Sequence, residues 1–160
     1  MQPSSLIVKS KNVQPLNVLG TEVRFLCEGQ STKEAWSLME VTLPLNSGPP
    51  PHTHEWSEAY FVVEGDVEFL VNGERFEATA GDFVHTPGGT LHGFSGKSQR
   101  PARVLIFDSP AHAGAFFKRV DREVGELPRD LQKVISIGED TGIYFAAPAR
   151  SLDATPLAQA

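Results

Sequence analysis

Hydrophobic and polar positions alternate in short stretches along most of this chain, and the repeat lengthens only toward its end. Residues 23–27 and 36–43 alternate as strands with one buried side do. Residues 60–63 and 67–71 are rich in aromatic and β-branched side chains, and Asn72-Gly73 follows them. Both of those residues tolerate the positive φ of a type I′ turn, so 75–79 reads as the return strand of a hairpin. Strands over 82–86 and 102–107 complete the series. Fourteen glycines and twelve prolines keep the pieces too short for helices. Turn signals recur roughly every eight to twelve residues, the spacing of a sandwich or barrel. Gly48-Pro49-Pro50-Pro51 interrupts the series as an extended connector, because proline has no N–H to give a ladder.

Beyond Phe107 the period changes to that of a helix. Ser109 is placed to cap, Pro110 suits a first helical position, and Ala113, Phe116, Phe117, Val120 and Val124 share one face before Gly125. A second, shorter helix is expected over 128–137, with Leu127, Leu131, Val134 and Ile135 apolar and Gly138 as its stop. The expected organisation is one domain over 1–160: an all-β body at about 20–108, a short C-terminal helical extension at about 109–138, and a weakly ordered tail at about 149–160.

Composition narrows the partners. At 160 residues, 40% apolar and 21% charged, the chain has the make-up of one globular domain, far from that of a disordered one. Its net charge is −6 and its Lys and Arg are scattered, so no field gathers phosphates or anionic lipid. Nucleic acid and membrane surfaces are therefore not expected partners. Cys27 is the single cysteine, best read as a small buried apolar group; no intrachain disulfide can form, which suits a reducing cytosol. No stretch approaches the ~20 apolar residues of a membrane span. The expectation is a soluble cytoplasmic protein that binds a small molecule.

The candidate chemistry lies after the proline run. His52 and His54 sit two apart, on one side of a strand. Glu58 is four residues on, ~13 Å along a straight strand and too far for one ion, so a turn through Glu55, Trp56 and Ser57 is required. Histidine and carboxylate donors together suit a divalent transition ion. His92, after the tight corner at residues 87–91, is placed to return to the same point and act as a fourth ligand. Tyr60 shares Glu58's side of the strand, where its hydroxyl orients a ligand or donates a proton. Phe94, two beyond His92, faces the interior by the same alternation, and Trp36, Met39 and Trp56 are further pocket candidates. His85 and His112 are read as structural or exposed, and Glu55 as a solvated turn residue. The Phe116 and Phe117 face is read as packing the helix onto the β body or onto a second subunit rather than as a gate.

Pro51-His52-Thr53-His54 with Glu58 and Gly65 resembles the first motif of the cupin superfamily, G-x5-H-x-H-x(3,4)-E-x6-G, and Gly81, Pro87, Gly89 and His92 resemble the second, G-x5-P-x-G-x2-H-x3-N. Two positions depart from the pattern. Only three residues separate Gly48 from His52, and Gly96 stands where the closing asparagine belongs. The resemblance covers about residues 36–107 and implies a double-stranded β-helix, or jelly-roll barrel. It implies His52, His54, Glu58 and His92 as ligands of a divalent transition metal (Fe, Ni, Mn, Zn or Cu), and a homodimer. It also implies a small oxygenated substrate, such as an enol, diketone or phenol. A quercetinase-like dioxygenase, with Glu58 and Tyr60 as catalytic groups, is placed slightly ahead of a Lewis-acid isomerase or cyclase, and a non-enzymatic small-molecule-binding cupin is the alternative.

Overall fold

Strands dominate as the alternation requires, and they wrap into two facing sheets. The computed structural model describes residues 5–147; the tail expected at 149–160 lies outside the described residues. In chain order the elements are β1 (Leu16–Val18), β2 (Thr21–Cys27), β3 (Ser37–Leu43), β4 (His52–Thr53), β5 (Ser57–Glu64), β6 (Val67–Val71), β7 (Glu74–Ala78), β8 (Phe83–Thr86), β9 (His92–Gly96), β10 (Ala102–Ser109), α1 (Ala113–Glu123), α2 (Leu131–Thr141) and β11 (Tyr144–Phe145). One sheet has the order β1-β2-β3-β10-β5-β8 and the other β11-β4-β9-β6-β7. Named neighbours pair antiparallel throughout. The fold is the expected all-β jelly roll with a C-terminal helical extension. No helix among the described residues is long and apolar enough to cross a membrane.

Inward positions of the two sheets make the core. Met39, Val41 and Leu43 of β3, Tyr60 and Val62 of β5, Val67 and Phe69 of β6, and Val104 and Ile106 of β10 are all buried. Each contributes roughly 1.5–3 kcal/mol by leaving water. Asn72-Gly73 makes the hairpin between β6 and β7, with φ of 50° and 89°.

The two departures from the motif pattern are one contact. The connector leading to the proline run crosses the backbone of β9: Asn46 N–H donates to Gly96 O at 2.8 Å, and Gly96 N–H donates to Ser47 O at 3.0 Å. A Cβ on Gly96 would stand 2.5 Å from Pro44 O and 2.7 Å from Leu43 O, and one on Gly48 (φ +149°) would strike Phe94 O. A connector shortened before His52 lies tightly on β9, so no asparagine side chain fits at position 96.

The helices differ in their ends. α1 starts at Ala113 rather than at Pro110 because Asp108, the last inward residue of β10, caps it. Its Oδ2 accepts from the N–H groups of His112 (2.9 Å) and Ala113 (3.0 Å), and its Oδ1 accepts from the Ser37 hydroxyl. Asp108 is fully buried, so Asp108→Ala strands three donors. It is expected to cost roughly 2–4 kcal/mol in urea unfolding, more than Ser37→Ala. α2 does not stop at Gly138 but runs to Thr141, and Gly142 (φ 83°) provides the left-handed end. Gly138 is small for packing instead: a Cβ there would lie 2.7 Å from Ile143 O and 2.9 Å from the Phe145 ring.

Candidate metal centre

β4 is two residues long and is held between β9 and β11. His52 pairs directly with His92 of β9, which sets their rings 4.4 Å apart. The His54 ring stands 4.9 Å from that of His92. The chain then turns, as the strand-length argument requires, with Gly89 N–H donating to His54 O at 2.7 Å to anchor the corner. β5 begins at Ser57, so Glu58 arrives from the opposite sheet. Its Oε2 lies 3.4 Å from His54 Nε2 and 3.3 Å from His92 Nε2. One ligand atom from each of the four residues lies within 4.8 Å of the other three, and all four residues are buried.

Backbone carbonyls decide where the ring protons sit. The Nδ1 atoms of His52, His54 and His92 face the oxygens of Pro50 (2.9 Å), Trp56 (2.9 Å) and Thr90 (2.8 Å). A carbonyl has no proton to give, so Nδ1 donates, and a neutral ring then presents Nε2 as a bare lone pair. With the rings neutral, three such lone pairs converge on a carboxylate, an arrangement that a cation satisfies. His54 Nε2 shows this most plainly: it is buried without a hydrogen-bond partner. Its 3.4 Å approach to Glu58 lacks hydrogen-bond geometry. Burial, reinforced by the neighbouring His92, lowers the His52 pKa to about 4 and keeps that ring neutral near pH 7. Burial pushes the Glu58 carboxyl upward, and the Tyr60 hydroxyl that donates to it acts in the opposite direction.

Two side chains fix Glu58. The Tyr60 hydroxyl donates to Oε2, and Trp56 Nε1–H donates to Oε1 at 3.4 Å. Burial and the Glu58 charge raise the Tyr60 pKa well above its ordinary value, so the phenol keeps its proton. Trp56 also lies flat on the His54 ring, with centroids 4.1 Å apart and planes 5° from parallel.

A cavity of about 60 Å³ opens onto His52, His54 and Glu58. Phe94 lines it, as the alternation predicts, whereas Tyr60 stands behind Glu58 and not in the wall. Met39 is core, and Trp36 lies outside the barrel, stacked on Phe107. His85, His112 and Glu55 are exposed, as expected of non-ligands. Much of the wall comes from segments with no site signal in the sequence. Val18, Leu19 and Thr21 enter from the β1–β2 turn, Ala113, Phe116 and Phe117 from α1, and Ile143 and Phe145 from the C-terminal end. β11 fastens that end to the site by pairing Phe145 with His52, and Ala146 N–H donates to Pro51 O at 2.8 Å. Beyond the cluster the wall carries no ionisable side chain, and the Thr21 hydroxyl is spent on Val18 O at 2.7 Å.

Known proteins share this arrangement of sheets. The chain is 28% identical over 76 residues to quercetin 2,3-dioxygenase of Bacillus subtilis (strain 168), which is 47% of this chain but 23% of that protein. It is 24% identical over 139 residues to polyketide synthase CurC of Streptomyces cyaneus, 85% of this chain and 90% of that one. The polyketide cyclase RemF from Streptomyces resistomycificus superposes with a TM-score of 0.59 at 25% identity, over 66% of this chain and 80% of its own. The chain thus spans less than a quarter of the Bacillus enzyme. Residues 39–108 match the cupin domain family, and with both motifs and the jelly roll in agreement that stretch of the chain is a cupin domain.

Proposed function

We propose that this chain is a metal-dependent enzyme in which His52, His54, Glu58 and His92 hold one divalent ion, and that it cyclises or isomerises a small, largely apolar compound bearing carbonyl or enol oxygens. The observation that carries the reading is the set of three backbone-locked Nε2 lone pairs facing one carboxylate. When bound, a divalent ion supplies Lewis acidity toward a carbonyl or enolate oxygen. The apolar wall receives the rest of the substrate and excludes water, and its lack of Lys or Arg disfavours phosphorylated substrates. Glu58 Oε1 is held only by the long contact from Trp56, so it is the oxygen free to accept a proton from an acidic C–H or O–H. Tyr60 serves as the positioning residue that keeps Oε2 turned toward the imidazoles. Cyclisation is favoured by the likeness to the polyketide cyclase RemF, and the similarity to polyketide synthase CurC runs over 85% of this chain, more than the cupin domain alone.

A second reading, a dioxygenase acting on an enol or phenol, rests on the similarity of the domain to quercetin 2,3-dioxygenase. Oxygen separates the two. Protein loaded in turn with iron, nickel, manganese, zinc or copper is incubated with β-polyketone and flavonol panels, aerobically and anaerobically, and the products are read by mass. Products isomeric with the substrate, or lighter by water, at equal rates without oxygen support the cyclase. Oxygen uptake with products heavier by two oxygen atoms supports the dioxygenase. Tight binding without turnover in every form contradicts both and leaves a binding cupin. In either enzyme Glu58→Gln is expected to lower kcat by about 10²–10⁴.

A further inference from the structure

A second apolar hollow lies between the proline run and α2. Pro50 and Pro51 form one side of this groove, and Leu127, Leu131, Val134 and Ile135 the other. Its volume of about 440 Å³ falls within the ~300–1,000 Å³ of small-molecule sites. Leu19 and Phe145 stand in the walls of both the groove and the cavity beside the candidate ligands. The proline run divides in the same way, with Pro49 and His52 lining the cavity and Pro50 and Pro51 the groove. The two spaces are therefore neighbours. Leu19 sits at their junction against local preference: with Gly20 it makes the two-residue turn that pairs Val18 with Thr21, and its φ is 54°. Such a turn favours Asn, Asp or Gly at that position. A bulky residue held at positive φ points to a task for its side chain, and this side chain borders both spaces.

We propose that the groove is a second subsite of the substrate site, and that it receives a hydrocarbon tail, alkyl or aryl, of a compound whose carbonyl or enol head lies at His52, His54, Glu58 and His92. The head rests on the metal-enzyme reading above; the tail rests on the groove. Among the described residues the groove wall carries no ionisable side chain. Prolines have no N–H to donate, and both proline carbonyls on its rim are engaged: Pro50 O accepts from His52 Nδ1 at 2.9 Å, and Pro51 O accepts from Ala146 N–H at 2.8 Å. The wall thus offers burial and little hydrogen bonding, which selects an apolar group over a sugar, a phosphate or a peptide. Leu127 and Leu131 are 43% and 46% exposed, and a bound tail takes their surface out of water. One side of the groove comes from residues beyond the cupin domain at 39–108, so the preference for a tail belongs to this chain's C-terminal extension and not to the barrel.

Acetylacetone, and homologues whose alkyl end is longer by three and by six methylenes, are titrated by calorimetry into the zinc-loaded and the zinc-free protein. Each methylene that enters the groove is expected to tighten binding about 2–4-fold. Leu131→Glu puts a carboxylate into the groove at the first residue of α2, a position that tolerates acids. It is expected to weaken the longest homologue at least ~10-fold and to leave acetylacetone binding, zinc content and Tm unchanged. Leu127→Glu is expected to do the same, and it decides should Leu131→Glu not fold. A length dependence that survives both substitutions would overturn the proposal, because the tail then lies elsewhere. Affinity independent of length would overturn it too, while tighter binding with zinc would still leave the metal reading standing. A length dependence lost in Leu131→Glu but indifferent to zinc would keep the groove as a tail site and count against the metal reading instead. A sedimentation mass that Leu131→Glu halves, with every affinity unchanged, would give the groove to a second copy and overturn the proposal.

Discussion

His54→Ala is expected to abolish stoichiometric metal binding and, with it, the thermal stabilisation that the ion gives. A ligand that binds only the native state at a hundred times its Kd adds about 2.7 kcal/mol. For a chain of this length that corresponds to roughly 5–10 °C in Tm. The unmodified protein stripped by chelator and then titrated with zinc, nickel or manganese should show such a rise, whereas His54→Ala should show none. His54 is the informative position because its Nε2 is buried without a hydrogen-bond partner, while its ring is already held by Trp56 and by Trp56 O. Removing the ring deletes a ligand from a prepared site. An unchanged metal content in the variant, measured by plasma emission, would remove His54 from the ligand set.

The second large effect is expected at Phe116. This residue is buried at 5% exposure, lines the cavity, and meets the rings of Phe117 (5.7 Å) and Phe145 (6.0 Å). Phe116→Ala removes a core ring and is expected to cost about 3–5 kcal/mol of stability. It also enlarges the cavity of about 60 Å³ that Phe116 lines. Bulkier members of the substrate panel should therefore gain in kcat/KM relative to small ones, even as Tm falls. Denaturant unfolding measures the first effect and competition between a large and a small substrate the second. A stability loss with no change in that ratio would place Phe116 in the core alone, as the sequence reading of its helix face expected.

The strands that carry the ligands were legible because each signal was local. Alternation located β3, β6 and β10, Asn72-Gly73 announced its hairpin, and the spacing of His52, His54, Glu58, Gly81 and His92 brought two distant segments to one point. The closing elements were not legible, because long-range partners make them. β1 has three residues and β11 two, too few for a periodic signal, and each exists through its pairing with β2 or β4. Asp108 reads as strand by alternation and is strand, so its second task as the cap of α1 is invisible until the chain folds back. Gly138 reads as a stop, yet it is glycine because Ile143 and Phe145 pack on it. Tyr60 was placed on the correct side of β5, but parity alone does not tell a wall residue from one that stands behind a ligand.

X-ray absorption at the metal edge of the purified, metal-loaded protein tests the central claim most directly. The expected first shell contains three imidazole nitrogens and one carboxylate oxygen at ~2.0–2.2 Å, with exchangeable positions left over and the imidazole count falling by one in His54→Ala. A metal-loaded sample whose shell contains no imidazole, or whose imidazole count does not change in that variant, would contradict it.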